Sequence, residues 1–404
     1  MLKKFFTTIA AGLAFGCTFW ACERGSATIP QPEEEKEKIA PVAVDYTLGR
    51  TMNAILGRGI NLGNSWDSRG SDDGGWGNPI EDSDFAIIKA AGFNSVRIPV
   101  RWQQTSDYTT HTVDPDRLNG VLRHIRLAIA NGLAVVVNFH HYDELSCYGG
   151  GMPPSYQSNN PPPPDDNPRC KYMPEKFQAE KAHFLAMWNQ VATAMGEFAD
   201  NQVVLEIWNE PAIPNSELVN EVMIDAYNVI RTAAPGKTIM FESYHLAKFE
   251  DLGSLHLPQD GNIIFSGHYY QPYTYTHQGQ HGNKCLGDAA FANTASSDMA
   301  SYAALARRLY PDVNGVDHVP LNMGEFGVAG GNDMWTCTWY DKNGNPVQGD
   351  WPSDQNKARW AMQTAQAAIS NGISFHYWGF DHVGGFEAYD GSNWYPGFPD
   401  ALLK

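Results

Sequence analysis

Two glutamates carry the chemistry that can be read from this chain. Glu210 follows the apolar run Val203-Val204-Leu205-Glu206-Ile207-Trp208 and Asn209, and Pro211 comes next. Proline has no N–H to give to a strand ladder, so the strand stops there and a carboxylate is fixed at its mouth beside an amide. Glu325 ends a second run, Val319-Pro320-Leu321-Asn322-Met323-Gly324, in the same way. Two carboxyls on two strand ends are the minimum equipment for hydrolysing a glycosidic bond. One attacks, the other first gives and then removes a proton, and they stand about 5–5.5 Å apart when configuration is retained. Arg97 lies in the buried run Val96-Arg97-Ile98 and must find a carboxylate. Pairing with Glu325 would keep that group ionised, whereas the proton donor needs a raised pKa. Asn209 can hydrogen-bond a sugar hydroxyl, and Trp378 offers a flat apolar face for a sugar ring.

The elements that must hold these groups alternate along the chain. Strands are expected at 58–62, 95–100, 134–139, 203–208, 238–241, 263–267, 319–324 and 374–378. Helical patterns fall at 82–91, 116–131, 176–198, 217–233, 297–310 and 353–371, with a weak one at 244–253. Gly92, Gly132 and Gly372 follow three of them, as helix-ending glycines do. Alternating uninterrupted apolar strands and helices imply a parallel sheet covered by helices, and eight repeats predict the α/β class as a closed (β/α)8 TIM barrel. An open doubly wound sheet is the alternative, but no glycine-rich phosphate turn follows the first strand. In a barrel, function sits at the C-terminal strand ends. Polar residues gather there: Asn61, Asn64, Arg97, His140, His141, Asn209, Glu210, Glu242, His268, Tyr270, Glu325 and, with them, Trp378. Glu206 shares the parity of Glu210 but lies about 13 Å deeper, which makes it a structural partner for Arg97. Glu242 is a weaker candidate for substrate contact. His140 and His141 are neighbours and are expected to point to opposite sides of a strand, which argues against a shared metal ion.

The chain has 404 residues, 43% of them hydrophobic, and a net charge of −17. That surplus of acid repels phosphate backbones and excludes nucleic acid as a partner. Lys3 and Lys4 precede the apolar stretch 5–21, and after Cys22 the composition turns polar, with Glu33-Glu34-Glu35-Lys36-Glu37-Lys38. The pattern predicts a lipoprotein-type signal peptide over 1–22, a polar tether over 23–45 and one catalytic domain over 46–404. Cys22 is the expected lipidation site and Cys17 the competitor, with plain secretion as the other route. The chain is therefore expected to be exported, to the bacterial cell surface or outer membrane if lipidated and otherwise secreted. The remaining cysteines are even in number, and the bridges expected are Cys147–Cys170 and Cys285–Cys337.

Taken together, several segments resemble glycoside hydrolase family five, the cellulase family of clan A. They are Gly59-Ile60-Asn61-Leu62-Gly63-Asn64, Val96-Arg97-Ile98-Pro99-Val100, Asn138-Phe139-His140-His141, Trp208-Asn209-Glu210-Pro211, His268-Tyr269-Tyr270, Gly324-Glu325-Phe326-Gly327 and Tyr377-Trp378-Gly379. They run in the family's order over nearly the whole chain after the tether. The resemblance implies Glu210 as acid/base and Glu325 as nucleophile. It further implies Arg97, His140, Asn209, His268, Tyr270 and Trp378 as residues around the central sugar, with His141 matching part of the family. It implies no metal and no cofactor. The expected activity is a retaining endo-β-1,4-glucanase on cellulose, mixed-linkage β-glucan or xyloglucan. An endo-β-1,4-mannanase is the alternative, and a surface glycan-binding protein without activity is a third. The expected partners are a β-glucan polysaccharide and, through the lipid alone, a membrane, with the chain acting as a monomer. Six tryptophans in loops, Trp66, Trp76, Trp102, Trp335, Trp339 and Trp351, are candidate sugar platforms.

Overall fold

The computed structural model describes residues 42–68, 73, 76–151, 170–280, 283–330, 337–340, 343, 345–380 and 385–404. The signal segment, Cys17, Cys22, the tether as far as residue 41 and Trp335 lie outside them.

Eight strands close into a parallel barrel: β1 (Arg58–Asn61), β2 (Ser95–Ile98), β3 (Ala134–Asn138), β4 (Val203–Glu206), β5 (Thr238–Glu242), β6 (Ile263–His268), β7 (Leu321–Glu325) and, after a hairpin, β10 (Ser374–Tyr377). Every residue of β2 to β7 is buried, which is why these strands read as continuous apolar runs and not as alternating ones. Helices Asp84–Ala91, Pro115–Ala130, Pro174–Ala194, Ser216–Ala233, Ala295–Leu309 and Asp354–Ser370 cover the outside. Their starts are written in the sequence. Asp114 and Asn215 accept hydrogen bonds from the first-turn amides of their helices, and Pro115 occupies the first turn where its missing N–H costs nothing. Gly92 ends the helix Asp84–Ala91 at φ 117°, a conformation that residues with a Cβ rarely take.

The interior of the barrel is layered. At the N-terminal end Val136, Val204, Met240 and Ile264 point inward against Met52 and Leu56 of an additional helix, Thr47–Leu56. This helix lies outside the expected set. It closes the bottom of the barrel, and each of its two apolar anchors contributes roughly 2 kcal/mol on burial. Two residues further along each strand the inward positions turn polar, with Asn61, Arg97, Asn138, Glu206, Glu242, Ser266 and Asn322 all buried. These polar side chains form the floor of the site.

Three local features depart from expectation. The weak helix between β5 and β6 is a short turn with His245, Leu246 and Ala247 at positive φ, followed by a 3-10 segment, Phe249–Ser254. The loop after β7 holds an antiparallel pair outside the expected strands, β8 (Thr338–Tyr340) and β9 (Pro346–Gln348), while Cys337 beside it is joined to Cys285 as expected. The expected Cys147–Cys170 bridge is not formed. Cys147 is buried in the helix Asp143–Tyr148, while Cys170 is partly exposed where the described chain resumes.

Candidate active site

Arg97 is the hub. β2 carries it into the barrel with no exposure to solvent, and each of its five N–H groups meets an acceptor. Nε and Nη2 make a two-pronged contact with Glu206 at 2.8 and 2.7 Å. Nη1 donates to Asn61 Oδ1 and to Glu325 Oε1, both at 2.9 Å. Nη2 also donates to Asn209 Oδ1. Asn61 is aimed by its own amide, which donates to the carbonyls of Gly324 and His376 at 3.0 Å. Burial opposes the charge on Glu206, but Arg97 outweighs it and brings the carboxyl down to about 2. The deeper glutamate is thus the structural counter-ion that its depth in β4 implies.

Glu325 reaches the interior through an irregularity. Leu321 and Met323 face the outer core, so strict alternation would send Glu325 outward as well. The pairing of β6 with β7 shifts register between Gly267 and His268, and Glu325 pairs with His268. The extra residue is Gly324, where a Cβ would come to 2.6 Å of Ser266 Oγ. Glu325 then accepts from Arg97 and, through Oε2, from the Tyr270 hydroxyl at 3.0 Å. Burial raises its pKa, against the pull of His268 and Arg97.

Glu210 stands beyond the end of β4 with a left-handed backbone, φ 48°. Its N–H donates to Glu242 Oε2 at 2.7 Å, which holds that conformation. Its Oε1 lies 2.8 Å from His268 Nδ1, and the same nitrogen is 3.5 Å from Glu325 Oε2. Oxygens of Glu210 and Glu325 and a nitrogen of His268 all fall within 4.8 Å of one another. Among the described residues this is the acidic and histidine group close enough to share an ion, but the Arg97 guanidinium already neutralises one of its carboxylates. Burial disfavours a charged His268, yet Glu325, Glu242 and Glu210 outweigh burial and hold it well above the ordinary histidine range. His268 is therefore a donor to Glu210 and a charge partner of Glu325.

The remaining expected residues form one wall. His140 stacks on Trp378, with ring planes 3° apart and centroids at 5.7 Å, and burial pushes the pKa of His140 well down. A Cβ at Gly63 would come to 2.5 Å of the Trp378 ring, so the glycine of Asn-Leu-Gly-Asn is what lets the indole lie there. His141 does not point away from His140 as alternation predicts. β3 ends at Asn138, His141 takes φ 53°, and the two rings meet edge to face at 4.0 Å. Trp66 and Trp102 are buried beneath loops, donating to His124 Nδ1 and to the Asn138 carbonyl, and are not sugar platforms. The exposed aromatics among the described residues are Trp76, Tyr108, Tyr172 and Tyr273, and all four lie between a barrel strand and the outer helix that follows it. Glu242 has a larger part in the site than its weak sequence signal implies. It is fully buried and touches both Glu210 and His268, and its place at the end of β5 was the only signal.

A barrel whose two carboxylates face each other over an arginine has counterparts among known proteins. The chain matches the family model described as cellulase (glycosyl hydrolase family 5) over residues 57–383. Endoglucanase H of Acetivibrio thermocellus is 24% identical over 306 residues, which is 75% of this chain and 29% of that protein. A xyloglucan-specific endo-β-1,4-glucanase of Bacteroides ovatus is 26% identical over 306 residues, 68% of this chain and 56% of that one. The chain thus spans less than two thirds of the length of these two relatives. Solved structures of Thermotoga maritima Cel5A with mannotriose and with cellobiose are 26% identical, with TM-scores of 0.64 and 0.63, and cover 88% of this chain and 98% of that one. With the family model spanning all eight barrel strands and both glutamates, this chain belongs to glycosyl hydrolase family 5.

Proposed function

We propose that the chain is a retaining, endo-acting β-1,4-glucanase in which Glu210 is the acid/base and Glu325 the nucleophile. The observation that carries this reading is the spacing of the two carboxyls. An oxygen of each lies within 4.8 Å of an oxygen of the other, which suits carboxyl groups about 5–5.5 Å apart, as in retaining enzymes. A Glu325 oxygen attacks the anomeric carbon as Glu210 gives its proton to the departing glycosidic oxygen, forming an ester to Glu325. Glu210, now a carboxylate, takes a proton from water, whose oxygen displaces Glu325 and restores the original configuration. Arg97 and Tyr270 hold Glu325, while Glu210 keeps partial access to solvent, as a group that meets water must. Asn209 supports the reading independently. Its Oδ1 is taken by Arg97, and its Nδ2 is buried with no partner among the described residues, a cost of about 1–3 kcal/mol that a sugar hydroxyl would relieve.

The substrate we propose is a β-1,4-glucan: cellulose, mixed-linkage β-glucan or xyloglucan. The four exposed aromatics on the carboxylate end suit an extended, uncharged chain of sugars. Mannan is the second reading, supported by the Cel5A structures that hold mannotriose in one crystal and cellobiose in another. Barley β-glucan, xyloglucan, glucomannan and galactomannan assayed side by side with product sizing separate the two. Glu210→Gln and Glu325→Gln should each nearly abolish turnover, and substantial activity in either variant sinks the assignment. Saturable binding with no product from any of the four would instead favour a glycan-binding protein. We further propose export and anchoring through a lipidated Cys22, tested by the mass of the mature N-terminal peptide.

A further inference from the structure

Glu242 is a third carboxyl that the two-glutamate reaction does not use. One of its oxygens accepts the Glu210 N–H at 2.7 Å. The other lies 3.1 Å from His268 Nε2, off the straight line of a hydrogen bond, and 3.9 Å from Arg97 Nη2, and neither it nor Nε2 makes a hydrogen bond of good geometry among the described residues. His268 Nδ1 faces Glu210 and Glu325 at 2.8 and 3.5 Å. A bare Nδ1 would set its lone pair against the Glu325 carboxylate, so Nδ1 carries a proton. Nε2 then faces Glu242 with one proton to be placed between them, either on the carboxyl or on the ring.

We infer that Glu242 is a positioning residue for the hydrolytic reaction: it fixes the His268 form that donates from Nδ1 and shares one proton with Nε2. This rests on the function proposed above. When Glu210 gives its proton to the leaving oxygen, a negative charge appears 2.8 Å from Nδ1. The shared proton moves from Glu242 to Nε2, and an imidazolium faces the new carboxylate. When Glu210 takes a proton from water, the shared proton returns to Glu242. No proton enters or leaves the pair, and His268 donates from Nδ1 throughout.

The surroundings favour a proton in that gap. Arg97 from β2 comes within 3.9 Å of Glu242, with Glu206 from β4, Glu210 beyond it and Glu325 from β7 completing the charged neighbours; His140 adds a neutral ring. Burial, reinforced by Glu206, pushes Glu242 up to about 8, against the pull of His268 and Arg97. Burial disfavours a charged His268, but Glu325, Glu242 and Glu210 outweigh it and raise the affinity of the ring for a proton. Both members of the pair thus bind a proton more tightly than in water.

The test uses nitrogen NMR of isotope-labelled histidine in the full-length protein and in Glu242→Gln and Glu242→Leu, with the His268 signals assigned by their loss in His268→Gln. The wild-type ring should show a protonated Nδ1 from about pH 5 to 9 and an Nε2 shift between the bare and protonated limits. Glutamine still accepts the Glu210 N–H and can donate to Nε2, so its ring should be neutral with Nδ1 protonated. Leucine should release a mixture of tautomers. In kinetics, Glu242→Gln should lower kcat by at least about 10-fold with KM within about threefold, and bring the alkaline limb of the pH profile down by about one unit. Unchanged His268 signals and an unchanged pH profile in Glu242→Gln, whatever happens to Tm, overturn the inference. Should Glu242→Leu fail to fold, Glu242→Gln still decides. Should the wild-type protein cleave none of the polysaccharides, the hydrolytic reading fails, while the NMR arm still reports on the His268–Glu242 pair.

Discussion

Replacing Arg97 with lysine keeps the charge and tests the matching of donors. In the native barrel the guanidinium makes five contacts, to Glu206 twice and once each to Asn61, Glu325 and Asn209. Lysine has three donors, so two acceptors lose their partner. A hydrogen bond to a charged group contributes about 1.5–3 kcal/mol, which puts the loss near 3–6 kcal/mol. Over roughly 350 ordered residues at about 2.1 cal/mol/K each, this lowers Tm by about 4–8 °C. If the contact to Glu325 is among those lost, about 2–3 kcal/mol of it falls on the transition state, a decrease in kcat of about 30- to 150-fold. Calorimetry and initial rates on a soluble β-glucan measure the two effects. A variant that melts within about 1 °C of wild type and turns over at half its rate or better would refute the reasoning, because five matched donors would then be worth no more than three.

Other outcomes follow from the same geometry. Gly324→Ala should lower kcat by about 100-fold or more while shifting Tm little, because the added methyl meets Ser266 Oγ at 2.6 Å and displaces Glu325; wild-type rates would show that the bulge is not what aims the carboxylate. Glu206, at about 2 in the folded protein and about 4.3 unfolded, contributes about 3 kcal/mol that is complete above pH 4.3 and is lost as pH falls toward 2. Glu242, pushed up to about 8, acts the other way: its contribution is complete below the ordinary carboxyl range and is lost as pH rises through about 8. Urea midpoints at pH 3, 5, 7 and 9 should therefore peak near pH 5, and the alkaline fall should flatten in Glu242→Gln. The Cys285–Cys337 bridge closes a separation of 52 residues, so Cys285→Ala with Cys337→Ala should cost about 2–4 kcal/mol in denaturant unfolding, and an unchanged midpoint would mean that the hairpin loop opens independently of the barrel.

The sequence by itself determined the barrel and the height of the site within it. Eight buried parallel strands leave an apolar run of period one and an inward set of period two, and both are visible in 203–208 and in 263–267. Polar residues at strand ends therefore marked Arg97, Glu210, His268 and Glu325, and depth alone identified Glu206 as the partner of Arg97. Tertiary structure decided what alternation cannot express. A shift of register in the pairing of β6 with β7 turns Glu325 inward, and positive φ at His141 sets its ring beside His140 against strand parity. The N-terminal helix was hard to read because Met52 and Leu56, with Ile55 at the edge, are what meet the barrel's inner core, an apolar signal too short to stand out along the chain. Glu242 was equally obscure. A buried carboxyl acquires its meaning from the two groups it touches, and those come from beyond the end of β4 and from β6, 32 residues before it through Glu210 and 26 after it through His268.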